Sequence, residues 1–201
     1  MENLPNQFFY SKEEDRLNVI SHGIGFILSI IGLIFLLNKG LQDFNLLRFL
    51  SFLIYGISLS TMYIASTLYH NSKTPEGRYK FRLFDMVSIY LLIAGSYTPF
   101  TLTVLIDSGG LTLFLLVWVI AIIGIIWKIF TVGNYNISST LLYIFMGGLW
   151  LFFIDAFINE IPQNALMWIY ASVATYFIGV FFYLADSKIK YNHFIWHIFV
   201  L

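Results

Sequence analysis

Apolar residues run along this chain in blocks of about twenty, separated by short polar breaks, a pattern that predicts a bundle of membrane-crossing helices. The blocks cover residues 18–37, 47–70, 83–106, 111–132, 139–158 and 165–185. Each is close to the ~20 residues a helix needs to cross a hydrocarbon core. The breaks carry turn chemistry: Asn38–Lys39–Gly40, Asp107–Ser108–Gly109–Gly110, Gly133–Asn134 and Glu160–Ile161–Pro162. A further apolar block, 193–201, starts like the others and stops after nine residues. As a helix it would rise only about 14 Å, roughly half a bilayer core, so the expectation is a seventh span cut short. The connections are short, which predicts one transmembrane domain over 1–201. The expected fold class is all-α, a polytopic bundle of seven-transmembrane type with its seventh helix incomplete.

Composition agrees. Hydrophobic residues make up 59% of the 201 and charged residues 11%, against about 25% charged in soluble domains; the mean hydropathy is +0.79. The formal net charge is zero, so nothing points to a nucleic-acid partner. There is no cysteine, which excludes disulfides, thiolate catalysis and thiolate metal ligands. A metal would have to be held by His, Asp or Glu. Met1 to Leu17 is polar and partly acidic (Glu13, Glu14, Asp15), unlike a cleaved signal peptide, and the first helix is expected to serve as an uncleaved signal-anchor.

Charge also predicts orientation. The side holding the N-terminus carries Lys12, Arg16, Lys73, Arg78, Lys80, Arg82, Lys128, Lys188 and Lys190; the other carries Lys39 and Arg48. Nine of eleven basic residues on one side place it, and the N-terminus, in the cytoplasm of a multi-pass inner (plasma) membrane protein.

With this topology the four histidines fall at one depth. His22 lies in the first turns of helix 1, His70 closes helix 2, and His193 and His197 open helix 7. Asp85 opens helix 3 at the same end. His193 and His197 are four apart, so on a helix they share a face and can hold one ion. Ser66 and His70 repeat that spacing, as do Glu14, Asn18 and His22. Three imidazoles from two helices, with a fourth position for water, would form an open tetrahedral zinc site, and Asp85 could accept a hydrogen bond from that water or from a ligand imidazole.

Plainer roles stand beside these. A histidine at a helix end commonly meets headgroups or a carbonyl, which fits His22 best. Glu14 and Asn18 suit helix capping, and Asp85 and Ser66 suit interfacial solvation or backbone bonding. The group of His70, Asp85, His193 and His197 resists that reading, because intramembrane ionisable residues are costly. Elsewhere, Pro99 should kink helix 3, with Ser96 and Thr98 satisfying freed carbonyls. Gly147–Gly148 should mark close helix packing, and Asp155 should snorkel to the outer interface.

The same residues resemble the hemolysin III family of bacterial membrane proteins, grouped with the progestin and adipoQ receptors and the alkaline ceramidases. The matching pieces are Glu14-x-x-x-Asn18-x-x-Ser21-His22-Gly23-Ile24-Gly25, then Ser66-Thr67-Leu68-Tyr69-His70. Asp85 follows, with Leu91-Leu92-Ile93-Ala94-Gly95-Ser96-Tyr97-Thr98-Pro99-Phe100, and finally His193-Phe194-Ile195-Trp196-His197-Ile198-Phe199-Val200-Leu201. The resemblance implies a seven-helix fold with a cytoplasmic N-terminus and a zinc ion (Zn2+) on His70, His193 and His197. Asp85 would act through the bound water, with Ser66 near it. His22, Asn18 and Glu14 belong to the bacterial motif as accessory residues. The family continues beyond the position of Leu201.

Two classes of function follow. A zinc site at membrane depth suits hydrolysis of an amide or ester, with Asp85 as general base and Ser66 as hydrogen-bond donor. The substrate would be a membrane lipid whose acyl chain enters the bundle, and the biological role membrane lipid homeostasis. The alternative is non-enzymatic: a pore or cytolysin, as the family name suggests, or a lipid-sensing receptor whose zinc only braces helices. The helices show no charged stripe to line a channel, so a pore would require an oligomer, on which the sequence is silent.

Overall fold

The computed structural model describes residues 10–131, 136–185 and 189–201. The predicted turn at Gly133–Asn134, the end of the 111–132 block and Lys188 lie outside the described residues. Among the described residues the chain is all helical. Six helices are long and apolar enough to cross a membrane: α1 (Lys12–Leu41), α2 (Leu46–Asn71), α3 (Pro75–Val104), α4 (Ile106–Phe130), α5 (Ile137–Glu160) and α6 (Gln163–Leu184). A short seventh, α7, covers Asn192–Val200.

The helices outrun the apolar blocks that predict them, most at the starts of α1 and α3. Hydropathy finds only the lipid-contacting length, whereas a helix continues until its caps stop it. Ser11 caps α1, its Oγ accepting from the Glu14 N–H at 3.2 Å, with Glu13, Glu14 and Asp15 in the first turn. Asn45 caps α2 through the Arg48 N–H at 3.0 Å. Thr74 caps α3 ahead of Pro75, which suits the first helical position.

Burial is inverted relative to a water-soluble fold. α1 buries Glu14, Asp15, Asn18, Ser21, His22, Gly25 and Ser29 and exposes Ile20, Ile24, Ile27, Leu28, Ile34 and Phe35. Lipid tails are as apolar as Leu, so burying Leu between helices gains little; small and polar residues take the interior because they allow close approach and cross-helix hydrogen bonds. Ser29 accordingly donates to Ser60 of α2 at 2.9 Å.

α1 packs on α2, α2 on α3, and α3 on α4 and the first half of α5, while α6 packs on α7 and α7 returns to α1. The larger apolar core, including Tyr90, Ala94, Tyr97, Val117, Ala121 and Met146, sits between α3, α4 and α5. α7 is pinned by the Tyr63 hydroxyl, which donates to the Val200 carbonyl at 3.1 Å. A Cβ on Gly179 of α6 would lie 2.8 Å from Phe199 and 2.9 Å from Trp196, so that glycine sets the approach of α6 to α7.

Pro99 does change its helix: α3 is regular over Pro75–Pro99 and passes into a wider π-type turn over Phe100–Val104. Ser96 and Thr98 donate to the Ile93 and Ala94 carbonyls, not to that of Gly95, whose i+4 partner Pro99 lacks an N–H. The kink within the first turns of α4 uses Gly109 at φ +88°, a conformation that suits glycine. The expectation of close packing at Gly147–Gly148 is corrected. A Cβ on Gly147 would meet nothing within 4 Å. The pair instead ends the first helical part of α5, Asn136–Gly147, ahead of a 3-10 turn at Leu149–Phe153. There the Tyr97 hydroxyl lies 3.0 Å from the Met146 carbonyl and 2.9 Å from that of Gly147, compensating the interrupted ladder.

Candidate metal centre

At the end of the bundle where α1 begins and α2 closes, the histidines predicted from sequence come together. His70, His193 and His197 are all buried, and one ligand nitrogen from each lies within 4.8 Å of the others, an arrangement that can hold a metal ion. Their ring centroids are 5.1 Å (His70–His193), 5.0 Å (His70–His197) and 4.8 Å (His193–His197) apart. His193 and His197 share one face of α7, and His70 is the last but one residue of α2.

The donor set fits a metal. His70 is wholly buried, and its Nε2 has no hydrogen-bond partner. Its other nitrogen is well satisfied: Nδ1 lies 2.9 Å from Asp15 Oδ1, which accepts the Nδ1–H. An imidazole that donates one N–H to a carboxylate and directs a bare nitrogen into a buried cluster is arranged as a metal ligand. The Asn18 amide lies 3.3 Å from the same Nδ1. With the proton on Nδ1, the consistent orientation turns the amide oxygen toward the ring.

His22 takes a different position. Its ring lies flat on His197, with centroids 3.5 Å apart and planes 8° from parallel, and both its nitrogens lack hydrogen-bond partners. Imidazole lone pairs lie in the ring plane, so two parallel stacked rings cannot both aim at one ion. Glu14 is buried in the first turn of α1, where its backbone N–H is capped by Ser11.

A cavity of about 230 Å³ opens beside the cluster. Its lining includes Ser66, Asp85, His22, His193 and His197, which brings the predicted carboxylate and hydroxyl to the imidazoles. Tyr176 and Tyr183 of α6 line it with Trp196 of α7, giving it an aromatic wall. More than one water, or a ligand headgroup, fits this volume.

Sequence reasoning missed the network behind the rings. Arg78, counted there only as a cytoplasmic charge, is fully buried. Its guanidinium donates to Asp15 Oδ1 at 2.7 Å and to the Tyr69 and His70 carbonyls at 3.1 and 3.0 Å, and lies 4.4 Å from the centroid of the Tyr69 ring. It therefore caps the end of α2 while neutralising Asp15. Tyr10, also missed, lies with its hydroxyl 3.0 Å from His193 Nδ1 and its ring stacked on the imidazole at 4.6 Å. Asp15 was legible in principle: it is three residues before Asn18 and seven before His22, on the same helical face.

Comparison with known proteins agrees with this arrangement. The family whose sequence model matches residues 10–201 is described as Haemolysin-III related. Hemolysin-3 of Bacillus cereus is 40% identical over 189 residues, spanning 94% of this chain and 86% of that protein. The Hemolysin-3 homolog of Bacillus subtilis (strain 168) is 35% identical over 192 residues, 96% and 90% of the two chains. The human Monocyte to macrophage differentiation factor is 29% identical over 156 residues, 73% of this chain and 63% of that one. No solved structure matches.

The buried ion pair yields a stability prediction. Arg78→Ala takes the guanidinium from the Asp15 carboxylate and uncaps α2, and should cost about 3 kcal/mol, read as a lowered melting temperature in detergent. Lys80→Ala, which removes only the exposed Lys80–Glu76 pair, should leave the melting temperature unchanged. Equal melting of wild type and Arg78→Ala would show that the pair is not structural.

Proposed function

The chain belongs to the Haemolysin-III related family, and on that premise we propose that it is a zinc-dependent hydrolase of lipid amides or esters acting in membrane lipid homeostasis. The observation that carries the reading is the convergence of three buried imidazoles, two of which, His193 and His197, line a cavity that Asp85 and Ser66 also line. His70, His193 and His197 hold the ion. Zinc there would supply Lewis-acid polarisation of the scissile carbonyl and an acidified water. The Asp85 carboxylate takes the proton of the attacking water and returns it to the leaving amine or alcohol. The Ser66 hydroxyl donates to the oxygen on which charge develops. The apolar and aromatic lining accepts an acyl chain, so the partner of this site is a membrane lipid.

A second reading draws on the relatives' name. A Hemolysin-3 is named for cytolysis, and in that reading the zinc would brace α2 and α7 of a cytolysin or lipid-sensing receptor without doing chemistry. The two readings separate on Asp85. In the hydrolase reading, wild type releases fatty acid slowly from long-chain amides or esters in detergent or bilayers. Asp85→Asn keeps metal and fold but releases none, because the amide cannot take the proton, and Ser66→Ala loses less. Equal release by wild type and Asp85→Asn, or none from any lipid by a zinc-loaded wild type, contradicts hydrolysis.

The site's end of the bundle faces the cytoplasm in this proposal. Even with Arg78 and Lys128 buried, the exposed Lys12, Arg16, Lys73, Lys80 and Lys190 outnumber Lys39 and Arg48 at the other end. In this cysteine-free chain, Asp107→Cys should react with an impermeant thiol reagent on intact cells and Lys80→Cys should not. The reverse pattern would move the cluster outside.

A further inference from the structure

We infer that the start of α1 together with the residue before its cap, Tyr10 to Ser21, is the positioning element of the imidazole cluster, fixing each candidate ligand ring while supplying no ligand itself. The inference rests on the metal reading of His70, His193 and His197.

Every Nδ1 of the three rings meets this one strip. His70 Nδ1 lies 2.9 Å from Asp15 Oδ1, His193 Nδ1 lies 3.0 Å from the Tyr10 hydroxyl, and His197 Nδ1 lies 3.3 Å from Ser21 Oγ. The rings come from α2 and α7, and α1 is packed against both. Asp15, Asn18 and Ser21 are three apart and His22 follows, so they form one stripe along the buried face of α1. Tyr10 stands just ahead of the cap residue Ser11.

The chemistry of the strip favours one tautomer. An imidazole offers a metal its Nε2 when Nδ1 keeps the proton, and a buried Nδ1–H needs an acceptor. Asp15 supplies a carboxylate oxygen. Ser21 commits its own proton to the Asn18 carbonyl at 3.1 Å, so its oxygen lone pairs are what His197 meets. The Tyr10 hydroxyl, 3.0 Å from His193 Nδ1, has an oxygen able to accept an Nδ1–H, and its ring stacks on the same imidazole. His22 stacks flat on His197, so that imidazole is held by a contact at Nδ1 and a stack on its face. Polar residues at the start of α1, costly at membrane depth, thereby have a task at the imidazole cluster beside the Asp15–Arg78 ion pair.

The test is competition between purified full-length protein and a zinc chelator, run beside thermal melts of the metal-free protein. Asp15 variants also deprive Arg78 of its carboxylate, so the hydroxyls are the cleaner probes. Tyr10→Phe and Ser21→Ala should each weaken zinc binding about 10- to 100-fold with little change in the metal-free melting temperature. Ser21→Thr, which keeps a hydroxyl, should restore affinity. Ser29→Ala, which removes the α1–α2 bond to Ser60, should lower the melting temperature and leave affinity unchanged. Wild-type affinity in both Tyr10→Phe and Ser21→Ala would overturn the inference while leaving the metal reading intact. A loss in Ser29→Ala as large as in Ser21→Ala would also overturn it, because packing alone would then explain the effect. A wild type that takes up no zinc would overturn both.

Discussion

A polar group inside a hydrocarbon layer has no bulk water to turn to, so its partners must come from the protein. In this chain that constraint is met most tightly at Asp15. One carboxylate oxygen receives the His70 Nδ1–H and the Arg78 guanidinium together, and the same guanidinium closes the carbonyl end of α2. Three helices meet at that oxygen. Breaking a buried pair of this kind costs several kcal/mol, about 3–5 in general, because the remaining charge has nowhere to go.

The position of the candidate metal centre follows from it. His70 is turned so that Nδ1 faces α1 while Nε2 stays buried without a hydrogen-bond partner, and α7 brings His193 and His197 to meet the ring on adjacent turns. Asp85 and Ser66 line the neighbouring cavity together with His193 and His197. The polar network around Asp15 thus sits beside an aromatic-walled cavity. It also accounts for the inverted burial of α1, whose apolar residues face lipid because its polar ones are needed inside.

Much of this was legible in the sequence. The spans follow from hydropathy because the bilayer filters for length and apolarity, and the grouping of His70, His193 and His197 follows from the i,i+4 pair on α7 and the shared depth set by topology. What escaped is what hydropathy and spacing cannot see. Arg78 reads as a cytoplasmic charge because its loop position is all the chain shows; only the fold reveals a guanidinium folded back into the bundle. Tyr10 lies ahead of the first apolar block, outside any periodic pattern. Gly147 and Gly148 look like a packing motif, yet they end a helix, since glycine permits both outcomes and the Tyr97 hydroxyl across the bundle decides between them. His22 has the spacing of a ligand and the pose of a stacking partner, a distinction that needs ring planes.

X-ray absorption at the zinc edge of protein purified without added metal or chelator would reveal whether His70, His193 and His197 form an open three-imidazole zinc site. Stoichiometric zinc with three imidazole nitrogens and one non-imidazole oxygen donor at about 2.0–2.1 Å is the expected result. A four-imidazole shell, which would require His22 to leave its stack and close the site, or the absence of zinc altogether, would contradict it.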